Sequence, residues 1–352
     1  MILATVLLLL SAIAIYLSCE LFVNGVEWVG QRAGIAQTAV GTVLAAFGTA
    51  LPESVVTLVA VAFGHSAAAK DIGVGAALGG PLVLSTVAYA VVGMVLLTVR
   101  KRERAATATA GPVSGVKDTR RVLAAPDSAR LARDQSWFMV IFIFKVALGF
   151  FAFSYKRWLG FAFLAVYGLY VWQEMRREGG EVEGDALEPL KLRPGLKDPS
   201  IGWALGQTGV ALVVIFAASQ LFVYQLGILG PGLGIETSFV ALLLSPLATE
   251  LPETMNAIIW VRQGKQRLAL ANISGAMMIQ ATVPSAFGIF FTPWRLDATL
   301  VWAAVVTLFS VFGLHLLLKR NALTPRRLAA FGSLYAVFAV GVVVLRHHRG
   351  SP

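Results

Sequence analysis

Long apolar runs dominate this chain, and short polar segments separate them. Ten runs of roughly 17–25 residues can be drawn, each about long enough to cross a bilayer as a helix. Their approximate bounds are 2–30, 37–63, 72–98, 136–155, 157–173, 201–228, 237–261, 268–291, 297–318 and 326–346. The pattern predicts an all-α membrane protein with about ten transmembrane helices.

Composition supports this class. Of 352 residues, 57% are hydrophobic and only 14% are charged, and the mean hydropathy is +0.75. These values lie far outside those of soluble globular domains. The lipid bilayer is therefore the expected environment. We expect the first apolar run to be retained as a span, because no basic region precedes it.

The net charge of +10 raises the question of a nucleic-acid partner, but the positions of the basic residues answer it. When the N-terminus is placed outside, 22 of the 29 Lys and Arg residues fall in inside segments and six in outside segments. Basic residues concentrate in the cytoplasmic loops of membrane proteins. We therefore predict a multi-pass protein of the plasma (inner) membrane with both termini outside, and no nucleic-acid partner.

The chain contains an internal repeat with a shift of 200 residues. The run 21–23 is identical to 221–223, and a Pro-Glu motif at 48–54 (GTALPES) returns at 248–254 as ATELPET. Five spans per half is an odd number, so the second half must enter the membrane in the opposite sense. Inverted repeats of this kind build many transporters, with the substrate bound at the midplane.

This repeat divides the chain into predicted regions. Each half has a core of three spans that carries its Pro-Glu motif, followed by two further spans. We expect the two longer polar segments to be a cytoplasmic loop and a cytoplasmic linker between the halves. In chain order the regions are 1–98 (first core), 99–135 (loop), 136–173 (spans four and five), 174–200 (linker), 201–291 (second core) and 292–352 (spans nine and ten with a short tail).

The two motifs carry the candidate chemistry. Pro52 and Pro252 lack an N–H and should break their helices, which frees carbonyls near residues 48 and 248. Glu53 and Glu253 follow directly, and a carboxylate inside a membrane marks a functional site by default. Carboxylate, carbonyl and hydroxyl oxygens are the ligands that Ca²⁺ prefers. We therefore predict a cation site around these two acids.

A third acid, Glu250, lies three residues before Glu253. Like charges packed together disfavour full ionisation, so one of the three carboxyl groups is expected to carry a proton, unless it is simply protonated and hydrogen bonded for structural reasons. Lys145 lies inside the fourth span. It could stand in for a bound cation or pair with one of the Glu residues, and we favour the pairing.

Further polar positions share helix faces with the motifs or lie on the first span. Residues four apart on a helix share a face. Each position also has a plainer interpretation, as a hydroxyl bonded to its own helix or as a solvated helix end. The candidates for an ion pathway are Glu20, Asn24, Thr57 and Asn256.

The run 40–53 closely resembles the first alpha-repeat of the cation/calcium exchanger superfamily, which is marked by G-T-S-x-P-E in both halves. The resemblance covers essentially the whole chain. It implies that Glu53 and Glu253 are paired cation ligands, and that sodium or protons are exchanged for calcium by alternating access. It also implies that Thr49 and Thr249 contribute oxygens and that Ala46 offers a carbonyl.

The sequence departs from the family pattern where the resemblance would place sodium ligands. The motif Ser is Glu250 in the second half. Gly80 and Leu84 replace polar residues of the third span, and Ala276 replaces one of the eighth. Gln280 keeps an oxygen at the last position of that pattern. These changes put the transported ion and its counter-ion in question.

The leading hypothesis is a secondary active antiporter of inorganic cations that exchanges calcium for sodium or protons. One alternative is a cation/proton antiporter that is not specific for calcium. A passive cation channel is another, although matched helix breaks suit alternating access better than a continuous pore. No nucleophile, nucleotide loop or His/Cys metal cluster is visible in the sequence. We therefore expect no enzyme activity and no cofactor.

Overall fold

The computed structural model consists of helices, and the residues it describes contain no β-strand. The described residues are 1–35, 39–63, 67–110, 121–151, 155–176, 187–196, 198–232 and 243–350. The all-α prediction is confirmed.

The helices of the first half are α1 (Ile2–Arg32), α2 (Ala46–Leu58), α3 (Ala67–Val83), α4 (Tyr89–Ala110), α5 (Ala125–Leu148) and α6 (Leu159–Arg176). Those of the second half are α7 (Ile201–Gly232), α8 (Ser245–Thr249), α9 (Leu251–Arg262), α10 (Gln266–Phe291), α11 (Ala298–Lys319), α12 (Pro325–Ala330) and α13 (Gly332–Gly350). Short π-helical turns join or flank three of them, at Val40–Ala45, Val59–Phe63 and Leu84–Ala88. Such turns are rare and often mark functional sites.

Among the described residues, six helical stretches are long and apolar enough to cross a membrane. These are Ile2–Arg32, Gly73–Arg102, Ile201–Leu229, Gln266–Phe291, Ala298–Lys319 and Pro325–Leu345. The other four predicted spans also contain helix, but there the helix is shorter, interrupted or less apolar. They correspond to 40–63, 125–148, 159–176 and 245–262.

Helix boundaries differ most around the fourth span. Helix α4 continues to Ala110 and α5 begins at Ala125, so both enter the segment 99–135 that was expected to be a loop. The first turns of α5 carry charged residues that pair with other helices, as Arg130 does with Glu174 at 2.6 Å. A hydropathy pattern misses such a stretch because its helix is stabilised by ion pairs rather than by lipid-facing apolar residues.

Helix ends meet at two opposite faces of the molecule. At the predicted cytoplasmic face, Ser128 Oγ donates to Asn321 Oδ1 at 3.2 Å and Arg32 pairs with Asp198. At the other face, Lys156 Nζ donates to Trp294 O at 3.0 Å. Helices α5 and α11 therefore run between the two faces in opposite directions. Which face is cytoplasmic remains a prediction from the charge count.

Helix α10 lies at the centre and packs against elements of both halves. Its Gly275 lies directly against the π-helical turn Val40–Ala45. A Cβ atom at that position would clash with the backbone carbonyl of Thr42. Small residues at such crossings let backbones approach closely in membrane proteins. This contact sets α10 against the first motif, and the α10 side chains therefore face the site.

Candidate functional site

The first motif lies on an uninterrupted helix. Helix α2 continues through Pro52, so the predicted break at that residue is wrong. The irregularity lies upstream, in the π-helical turn that precedes Ala46. Proline is tolerated in membrane helices where neighbouring groups satisfy the backbone carbonyl that it frees. Gly48 permits close packing here, because a Cβ atom would lie 3.0 Å from the Phe22 ring.

The second motif does break its helix, as predicted. Helix α8 ends at Thr249 and α9 starts at Leu251, with Glu250 between them at φ −89° and ψ 7°. Pro252 falls in the first turn of α9, where its missing N–H would have no partner in any case. The break therefore places the Glu250 side chain at the junction of two helices, where it can reach across to the first half.

A single amide joins the acids of the two halves. Gln280 Nε2 on α10 donates to Glu250 Oε1 at 2.7 Å and to Glu53 Oε2 at 3.2 Å. The carboxyl groups of Glu53 and Glu250 also lie close enough to interact electrostatically. Two carboxyl groups packed together do not both ionise readily, so such a pair can hold a proton. Acids of opposite halves therefore converge on one cluster.

Glu253 forms the far side of this cluster and is 1% exposed. Its carboxyl group lies near the Thr49 hydroxyl and close enough to Glu53 to interact electrostatically. The threonines are less free than a ligand role implies. Thr49 Oγ1 also lies 3.0 Å from Ala45 O, and Thr249 Oγ1 donates to Pro246 O at 3.1 Å. A ligand role for these hydroxyls, and for the carbonyl of buried Ala46, remains a prediction.

Several buried polar atoms near the two motifs accept or donate no hydrogen bond within the described chain. They are Glu250 Oε2, Glu253 Oε2, Gln280 Oε1, Thr57 Oγ1, Asn272 Oδ1 and both amide atoms of Asn256. Buried polar atoms are normally paired, so this concentration indicates a polar ligand. Most are hard oxygens, which suit a cation of the calcium type. Among the described residues, no group of three or more His, Cys, Asp or Glu side chains is arranged to hold a metal ion by itself. A bound ion would therefore need other oxygen ligands in addition to carboxylates.

Gly80 on α3 is part of the site. From the sequence it was expected only to lack the polar side chain of the family pattern. A Cβ atom there would lie 2.7 Å from Glu250 Oε1 and 2.8 Å from Gln280 Cδ. The absent side chain therefore makes room for the Glu250–Gln280 pair. Leu84 and Ala276 are fully buried and apolar. They offer no side-chain oxygen where the resemblance would place sodium ligands.

Glu20 and Asn24, the two pathway candidates on α1, contact other segments of the chain. Glu20 pairs with Lys191 at 3.4 Å, and Asn24 Nδ2 donates to Glu188 O at 3.2 Å. Both partners belong to the described part of the linker between the halves. These two side chains hold the linker against α1. Their role in an ion pathway remains a prediction.

Lys145 does not pair with any of the three acids, so that expectation is wrong. No ion pair of the described residues includes it. Its ammonium group instead donates to Ala77 O at 2.7 Å and to Ser285 Oγ at 3.1 Å. Burial between α3 and α10 sets these partners, and no sequence pattern signalled them.

Comparisons with known proteins agree with this fold. The chain is 25% identical to the inner membrane protein YrbG of Escherichia coli over 302 residues, which cover 84% of this chain and 82% of that protein. Its fold is similar to that of the sodium-calcium exchanger NCX_Mj soaked with 2.5 mM Na⁺ and 1 mM Sr²⁺, with a TM-score of 0.72 and 18% identity over 96% of this chain and 97% of the other. A structure of the same exchanger with zero Na⁺ and Ca²⁺ gives a TM-score of 0.71 and 19% identity over 97% and 99% of the two chains.

The family profile described as sodium/calcium exchanger protein matches residues 3–174 and 203–344, which include both motifs and nearly all helices. The match covers far more than half of the chain. This protein therefore belongs to the sodium/calcium exchanger family.

Proposed function

We propose that this protein is a secondary active antiporter that exchanges calcium for protons across the inner membrane by alternating access. The observation that carries the proposal is the Gln280 amide, which donates to both Glu53 and Glu250 and so holds carboxyl groups of opposite halves together. Carboxyl groups packed in this way favour one bound proton, and carboxylate oxygens beside them have no hydrogen-bond partner among the described residues. Proton and divalent cation thus compete for the same group.

The exchange step follows from this competition. Calcium would draw the ionised carboxylates of Glu53 and Glu253 together, since Ca²⁺ takes oxygen ligands at about 2.3–2.6 Å. A Glu53 oxygen bound to the ion can no longer share its proton with Glu250. The proton then leaves, and its return on the other side of the membrane releases the calcium. Glu250 is the residue that couples the two fluxes, and Gln280 positions it.

Protons are favoured over sodium as the counter-ion because of the residues around the cluster. A bound proton requires no coordination shell, whereas sodium requires several oxygens. Gly80, Leu84 and Ala276 supply no side-chain oxygen, and the Thr49 and Thr249 hydroxyls are bonded to their own helices. A site with so few other side-chain oxygens suits an exchange in which the carboxyl groups bind either protons or the cation.

The test is calcium uptake into proteoliposomes under gradients imposed one at a time. An acid interior should drive uptake in the absence of sodium. The Glu250→Ser variant should keep calcium binding and show a weaker dependence of uptake on external pH from about 6 to 9. Asp198→Asn, at the exposed ion pair with Arg32, is the matched acid control and should behave as wild type.

Other outcomes would assign a different function. Uptake that is independent of pH and driven by a sodium gradient alone would replace the proton with sodium. Calcium flux that needs no counter-gradient would indicate a channel. Proton-coupled transport of another divalent or monovalent cation, with no effect of calcium, would retain the antiporter and change its substrate.

A further inference from the structure

The ammonium group of Lys145 occupies an unusual position. The side chain is fully buried, and its Nζ atom lies 4.7 Å from the centroid of the Phe142 ring. Its hydrogen-bond partners, Ala77 O and Ser285 Oγ, are neutral oxygens on two different helices. Burying a charge without an opposite charge beside it is costly.

Two prolines create the oxygens around it. A proline leaves the carbonyl four residues before it without its helical donor. Pro81 in α3 therefore frees the carbonyl of Ala77, and Pro284 in α10 frees that of Gln280. Lys145 Nζ bonds the first carbonyl directly.

The second freed carbonyl is reached through Ser285. The Ser285 hydroxyl accepts from the ammonium group and donates to Gln280 O at 3.4 Å. Two carbonyls and a hydroxyl, contributed by one helix of each half and gathered around one positive charge, form an oxygen-lined cation site.

This site lies next to the carboxyl cluster on the same two helices. Ala77 is three residues from Gly80, or about 4.5 Å along the axis of α3. The backbone carbonyl of Gln280 faces the ammonium network, while its side chain bridges Glu53 and Glu250. The two sites therefore share a residue and stand one helical turn apart.

Charge counting gives the ammonium group a role. Three ionised carboxylates around one divalent cation leave a net charge of −1. An ionised group inside the membrane interior is expensive unless another charge offsets it. A protonated Lys145 would supply one positive charge about one helical turn from the cluster without occupying the space of the transported ion.

We propose that the oxygens around Lys145 form a monovalent-cation site whose occupant is the lysine ammonium group itself. The tethered ammonium does permanently what a bound monovalent cation would do, so the cycle requires no such ion there. The consequence for transport rests on the proposed antiport function. The binding property does not, and it can be tested separately.

The binding test removes the tether and supplies the ammonium group from solution. Lys145→Ala should lower the melting temperature of the purified protein by about 5 °C, since it leaves buried acceptors unpaired and a cavity. Ethylammonium or propylammonium chloride should raise it again in a dose-dependent manner, because a ligand that binds only the folded state stabilises it. Choline chloride at equal ionic strength should not, since a quaternary ammonium cannot donate hydrogen bonds.

Two further variants keep the test decisive. Lys319→Ala, which removes an exposed ammonium at the end of α11, controls for general salt effects and should gain nothing specific from alkylammonium. Lys145→Gln retains N–H donors without the charge and applies even if the alanine variant does not fold. A role in charge balance predicts at least a tenfold loss of calcium uptake in Lys145→Gln, whereas a role limited to hydrogen bonding predicts uptake near wild type.

The proposal is overturned if alkylammonium gives Lys145→Ala no more stabilisation than it gives Lys319→Ala, or if Lys145→Gln transports at the wild-type rate. Alkylammonium binding by a protein that proves to be sodium-coupled would retain this site and reject only the proton as counter-ion.

Discussion

Gly80 offers a quantitative test of how the site is built. Gly80→Ser restores the residue type that the family resemblance predicts in the third span. Its Cβ atom would lie 2.7 Å from Glu250 Oε1 and 2.8 Å from Gln280 Cδ, closer than real Cβ atoms approach other atoms. One or both side chains must therefore move away from position 80, which disturbs the Gln280 contacts with Glu250 and Glu53.

The expected magnitude follows from overpacking, which costs about 1–3 kcal/mol in a well-packed interior. Since 1.36 kcal/mol is a factor of ten, calcium uptake should fall by roughly 5- to 150-fold. Glu250→Ser removes the carboxyl group that the new side chain would contact and frees Gln280 to rotate. In that background Gly80→Ser should cost much less, with a coupling free energy of about 1–2 kcal/mol.

The assay compares initial rates of calcium uptake for wild type, both single variants and the double variant at one fixed pH gradient. Melting temperatures of the four proteins report folding independently of transport. Gly75→Ser is the matched control on the same helix, because nothing lies within 4 Å of a Cβ atom there. If Gly80→Ser reduces uptake equally in both backgrounds, within about twofold, Gly80 does not act through Glu250 and the reasoning is refuted.

Two further predictions follow from the contacts of the acids. Glu53→Gln and Glu253→Gln should each abolish calcium transport while leaving the melting temperature nearly unchanged, because a charged ligand is lost and the shape is kept; wild-type uptake in either variant would contradict the proposed ion site. Glu27→Gln weakens a pair with Lys265 at 2.6 Å and a bond from Trp260 at 2.8 Å. It should destabilise the protein by about 1–3 kcal/mol, measured as a lower melting temperature than that of Asp198→Asn. An unchanged melting temperature would show that these contacts between α1 and the second half do not stabilise the protein.

Most of the architecture was predictable from the sequence because the bilayer restricts what an apolar run can be. A run of about 20 apolar residues must satisfy its backbone internally, and the helix does so. The repeat and the odd number of spans then required the second half to be inverted. Helix α5 was harder to delimit, since its first turns, near Arg130, are held by ion pairs rather than by lipid.

The Pro-Glu motifs predicted the candidate acids and a helix break at each proline, but the break occurs only at the second motif. Identical Pro-Glu pairs produce a continuous helix at Pro52 and a break beside Pro252. In membrane helices a carbonyl freed by proline is tolerated where neighbouring groups satisfy it. Local sequence cannot report those neighbours.

The sequence by itself determined the class of protein, the inverted repeat and the two acidic motifs, because hydropathy, charge and periodic identity are properties of the chain alone. Only the tertiary structure decided that Gln280 joins Glu250 to Glu53, that Gly80 makes room for the Glu250–Gln280 pair, and that Lys145 bonds a carbonyl of α3 instead of a carboxylate. Each of these contacts joins residues far apart in the chain, and each depends on interhelical approaches of a few ångströms, which packing sets and no local pattern encodes.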